Sequence, residues 1–60
     1  MNQKRRKRIC EINNELMEIL DEEDNYRECM PENLQGTLRY EESELASEKL
    51  NDAIEALSEI

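Results

Sequence analysis

Two charged runs and two thiols are the residues of this sequence whose types could do chemistry. Lys4-Arg5-Arg6-Lys7-Arg8 are five consecutive cations, Asp21-Glu22-Glu23-Asp24 are four consecutive acids, and Cys10 and Cys29 are the only cysteines. Five cations in a row resemble a contact for nucleic acid or for an acidic surface. Paired carboxylates do acid–base work only in a pocket that perturbs them, and sixty residues offer no obvious pocket. The acidic run lacks the alternating spacing and central glycine of a calcium loop. A di-metal bundle site brings Glu-x-x-His pairs, and the chain has no histidine. Cys10 and Cys29 lack the short-spaced partners of a zinc site or a catalytic thiol. No catalytic residue, metal ligand or cofactor site is therefore expected, and the chain reads as a non-enzyme.

The element that must position these residues is a helix. Ile9, Ile12, Leu16, Ile19, Glu23, Tyr26 and Met30 recur at steps of three and four, the a/d rhythm of a packed helix. Leu20, Met17 and Cys10 widen that stripe, which suits contact with more than one neighbouring helix. The pattern predicts a helix over about residues 9–30, entered from a basic arm at 1–8. On it the two cysteines would stand about 30 Å apart, too far for an intrachain disulfide. They read as small packing residues, with an intermolecular disulfide between antiparallel copies as the remote option.

The only proline and the only glycine, Pro31 and Gly36, punctuate the middle of the chain. Pro31 ends the first helix and opens a turn at 31–37. Gly36 is expected as a left-handed stop and Thr37 as the N-cap of a second helix over about 38–60. Leu34 is expected to plug the hairpin end against Tyr26, Met30 and Tyr40. Tyr40, Ser43, Ala46, Ser47, Leu50, Ala53, Ile54, Leu57 and Ile60 form the main face of the second helix. Its small residues near the turn predict close helix approach there. Leu38, Leu45 and Ala56 fall on another side, which a second copy of the hairpin would cover.

The fold class is thus all-α, an antiparallel two-helix hairpin in a single domain. A chain this short is marginal alone. The breadth of the first stripe and the stranded leucines predict homodimerisation into a four-helix bundle, with Cys10, Met17, Leu38, Leu45 and Ala56 in the dimer interface. No apolar run is long enough to span a bilayer, and no signal peptide is recognisable, so a cytoplasmic location is expected.

Charge bounds the partners. The net charge is −8, yet from Ile9 onward sixteen acids face three bases, Arg27, Arg39 and Lys49. Such a surface disfavours anionic membranes and favours cationic partners. Lys4, Arg5, Arg6, Lys7 and Arg8, with Asp21, Glu22 and Asp24, are the candidate partner-binding residues. For the arm, the stronger reading is neutralisation of Glu55, Glu59 and the C-terminal end of the second helix, with nucleic-acid contact behind it. Glu23, on the apolar row, is expected at a wet point of the core or paired with Arg27 one turn on, the single well-oriented i,i+4 pair. The acidic faces serve either a basic partner or plain solubility.

Residues 25–40, Asn-Tyr-Arg-Glu-Cys-Met-Pro-Glu-Asn-Leu-Gln-Gly-Thr-Leu-Arg-Tyr, resemble the central segment of small acidic proteins of phages, prophages and other mobile elements. Those carry a Met/Ile-Pro-Glu-Asn/Ser-Leu-Gln turn followed by Ser/Thr-x-Arg. The basic start at 2–8 and the segment 50–57 are similar to that group as well, while Arg27-Glu28-Cys29 departs from its more typical Asp-Asn before the Met. The resemblance implies a mobile-element accessory protein that inhibits or modulates a host factor in the host cytoplasm. The alternative is a small nucleic-acid-associated dimer using the basic arm. No site residue carries over from the group.

Overall fold

The structure, a computed structural model, describes all sixty residues. Helix α1 spans Gln3–Glu28, a single 3₁₀ turn spans Glu32–Leu34, and helix α2 spans Leu38–Ser58. The two long helices lie antiparallel: Asn13 near the start of α1 bonds Ser58 at the end of α2, and Arg27 near the end of α1 bonds Ser43 near the start of α2. The molecule is a rod of 49 × 15 × 11 Å. There are two helices and no strand, as the periodicity required. Neither helix is long and apolar enough to cross a membrane.

Helix α1 starts six residues before the apolar pattern, and the basic arm runs on into it as one continuous helix. Asn2 is its N-cap, accepting from the Arg5 amide at 2.9 Å. Lysine and arginine are good helix formers, and that preference prevails over the charge of the block.

The turn departs from expectation at its glycine. No residue has a positive φ, Gly36 included. The reversal is made instead by Pro31, extended at φ −58° and ψ 149°, followed by the 3₁₀ turn. The Leu34 amide bonds the Pro31 carbonyl at 2.9 Å and the Thr37 amide bonds the Leu34 carbonyl at 3.2 Å. Thr37 is the N-cap of α2 as expected, its hydroxyl accepting from the Tyr40 amide at 3.4 Å and donating to the Leu34 carbonyl at 2.6 Å. Leu34 remains 42% exposed, so it lines the hairpin end and does not plug it.

The core is thin. Met30 and Ile54 are the only buried hydrophobic residues, joined by buried Asn13, Ser43 and Ser47. Along α1 the residues that turn toward α2 are Ile9, Asn13, Leu16, Leu20, Glu23, Asp24 and Arg27, with Met30 just past its end, all buried or half-buried. Of the row that sequence periodicity selects, Ile9, Leu16, Glu23 and Met30 turn inward, but Ile12, Ile19 and Tyr26 are 52%, 47% and 46% exposed. At about 100° per residue they lie roughly 80° round the helix from the buried row. The cause is the polar pairing described next, which draws the row of Arg27 inward.

Candidate functional site

Near the turn, α1 and α2 are held by a polar clasp. Arg27, with its side chain only 16% exposed, reaches across to α2. Its guanidinium donates to the Ser43 carbonyl at 2.9 Å, the Ser43 hydroxyl at 3.0 Å and the Ser47 hydroxyl at 2.6 Å. Its other terminal nitrogen pairs with the Asp24 carboxylate on its own helix. The Ser47 hydroxyl donates to the same Asp24 oxygen at 2.9 Å, and the Ser43 hydroxyl donates to Glu23 at 3.1 Å. Serine is small enough to let the backbones approach and carries a hydroxyl that both accepts from Arg27 and donates to a carboxylate. The clasp orients the hairpin; every group in it has a partner within the chain, so it offers nothing free to a substrate.

This corrects two expectations. Arg27 pairs with Asp24, three residues back, and not with Glu23; Glu23 goes to Ser43. Asp24, a candidate partner-binding acid, is engaged by Arg27 and Ser47 within the chain. Asp21 and Glu22 are exposed.

The far end of the rod has a second polar contact. The Asn13 amide nitrogen donates to the Ser58 hydroxyl at 3.2 Å, and that hydroxyl donates to the Ile54 carbonyl at 2.7 Å. The Asn13 side-chain oxygen is buried with no donor.

The basic arm is unpaired. Arg27–Asp24 is the only ion pair in the chain, so Lys4, Arg5, Arg6, Lys7 and Arg8 make none, and the expected neutralisation by Glu55 and Glu59 does not form. Arg5 and Arg8 share a shallow groove with Met1, Ile9 and Ile12, which puts them on the side of α1 that carries the exposed stripe. At the other end of that side a wider groove of about 670 Å³ runs past Tyr26, Cys29, Met30, Pro31 and Leu34. Both are open surface channels, and no three His, Cys, Asp or Glu side chains converge to hold a metal ion.

The residues expected in a dimer interface do not share a face. Cys10 and Met17 lie about 90° from the buried row of α1, on the side opposite Ile12 and Ile19, while Leu38, Leu45 and Ala56 lie on the outer side of α2, some 150° from its contact with α1. Leu38 and Leu45 are 70% and 50% exposed. Both cysteines are free and exposed. Periodicity places Ser43 and Ser47 on the main face of α2 but passes over Asn13 and Ser58, and it does not show the hydrogen bonds that all four make. No protein-family model, curated protein or solved structure matches this chain.

Proposed function

We propose that this chain is a non-enzymatic protein-binding module, a hairpin that pairs with a second copy into a four-helix bundle and presents acidic helix faces to a basic host protein. One observation carries the reading. The hairpin turns inward a mixed stripe of α1, Ile9, Asn13, Leu16, Leu20, Asp24 and Arg27, whereas Ile12, Ile19 and Tyr26 turn out and stay about half exposed. Burial of a large aliphatic side chain stabilises by about 1.5–3 kcal/mol. A helix that leaves a second apolar stripe in water has that stripe available for a partner.

The acidic faces support the second half of the reading. Of the sixteen acids, only Asp24 is in an ion pair. An unneutralised carboxylate surface on a rod steers cationic partners to it. The resemblance of residues 25–40 to small acidic proteins of phages and mobile elements fits an accessory role, inhibiting or modulating a host factor in the host cytoplasm. Capture from a host lysate tests this: a basic protein retained at low salt and released by high salt is expected, and no retained protein at low salt contradicts it.

A second reading is favoured by the five unpaired arm cations, a nucleic-acid-associated dimer. It requires a mobility shift by the intact chain that disappears when residues 2–8 are deleted.

A further inference from the structure

The basic arm is helical under unfavourable conditions. Its cations occupy the first two turns of α1, at the positive end of the helix dipole, with no acidic residue in the first turn. Lys4–Arg8, Lys4–Lys7 and Arg5–Arg8 are like-charge neighbours at i,i+3 or i,i+4 spacing, each unfavourable by a few tenths of a kcal/mol. None has an anion within the chain. Meanwhile Arg5, Ile12, Ile19 and Tyr26 stand seven residues apart along one exposed edge of α1. That edge begins in cations and ends beside the exposed acid Glu22.

We infer that a second copy of the chain docks antiparallel along this edge, in the register that sets Ile12 against the partner's Ile19 and Arg8 against the partner's Glu22. The inference rests on the dimer reading above and specifies its geometry. Each member of the edge then meets a complement. Ile12 and Ile19 meet as apolar pairs, Arg5 lies over the ring of the partner's Tyr26, and Arg8 meets the partner's Glu22. The twofold axis repeats every contact.

Alternative arrangements fare worse. A parallel pairing puts Arg5 on the partner's Arg5 and Glu22 on the partner's Glu22. An antiparallel shift of one heptad, with Ile19 on the partner's Ile19, carries the arm beyond the acids to the turn and brings Glu15 against the partner's Glu22 at both ends. The inferred register retains a single like-charge meeting, Glu15 with the partner's Glu15 at the axis. The area is also of the right size. The hairpin exposes 5011 Å², whereas a compact folded chain of its mass exposes about 4100 Å². The excess of about 900 Å² is close to the roughly 800 Å² that each partner contributes to a standard interface.

Charge reversal with rescue tests the register. Arg8 and Glu22 are fourteen positions apart on one helix, about 21 Å, so they cannot pair within a chain. Arg8→Glu alone and Glu22→Arg alone each weaken the dimer about tenfold, two contacts of up to about 1 kcal/mol being affected, and Arg8→Glu with Glu22→Arg together restores it. A nitroxide on Gln3→Cys, in a Cys10→Ser/Cys29→Ser background, reads the arrangement directly. The two labels are expected about 40 Å apart by pulsed electron resonance. A dimer with labels within about 20 Å, or with no rescue in the double variant, overturns the register while leaving dimerisation intact. A folded monomer that binds nucleic acid or another protein through the same edge overturns both.

Discussion

Arg27 donates to the Ser47 hydroxyl at 2.6 Å, and that hydroxyl donates in turn to Asp24 at 2.9 Å. A three-residue relay thus ties the last turns of α1 to the first half of α2. It is the reason the hairpin turns its Asp24–Arg27 row inward and its Ile12–Tyr26 row outward. Removing Arg27 alone leaves the partly exposed Asp24 carboxylate with only the Ser47 hydroxyl, so Arg27→Leu is expected to cost about 1–2 kcal/mol. Adding Asp24→Leu removes the stranded charge, and the double variant is expected to be more stable than the single one. Thermal melts followed by circular dichroism at one protein concentration check both; a single variant as stable as the parent contradicts the clasp.

Asn13 supplies the opposite case. Its side-chain oxygen is buried without a donor, which costs about 1–3 kcal/mol, while its one bond to Ser58 returns about 1 kcal/mol. Asn13→Leu is expected to raise stability by about 1 kcal/mol. A denaturant midpoint that falls in this variant shows the oxygen to be satisfied.

Gly36 takes no positive φ, and a methyl added there meets no atom within 4 Å. Gly36→Ala is therefore expected to stabilise the hairpin by about 0.4–1 kcal/mol by restricting the unfolded chain. The left-handed stop expected from sequence predicts loss instead, so the sign of the change decides between the two.

Thr37→Ala deletes the N-cap of α2 and its bond to the Leu34 carbonyl, for an expected loss of about 1 kcal/mol. Thr37→Ser retains the hydroxyl and is expected to recover most of it.

The helical hairpin was legible in the sequence because two independent signals agreed on it. Apolar spacing marked both helices, and one proline followed by a threonine marked the reversal. What was not legible was the rotation of α1 about its own axis. Ile12 and Asn13, Ile19 and Leu20, Tyr26 and Arg27 are adjacent in sequence and about 100° apart on the helix. Hydropathy alone prefers the first of each pair, whereas the structure buries the second more deeply in every one. The decision lies in side-chain hydrogen bonds from Arg27 and Asn13 to serines 16, 20 and 45 positions away, a long-range complementarity that a periodicity count does not contain. The register also decides the arm: the pairing of Asn13 with Ser58 sets residues 4–8 past the end of α2, and Glu55 and Glu59 make no ion pair with them.

In the proposed dimer the outward stripe of α1 is covered by a second copy of this chain, which sedimentation equilibrium at micromolar concentration can decide. A single helical species of twice the 7.2 kDa chain mass is expected, dissociating in Ile12→Glu and Ile19→Glu variants. A fully helical, cooperatively melting species of one chain mass at that concentration would contradict it.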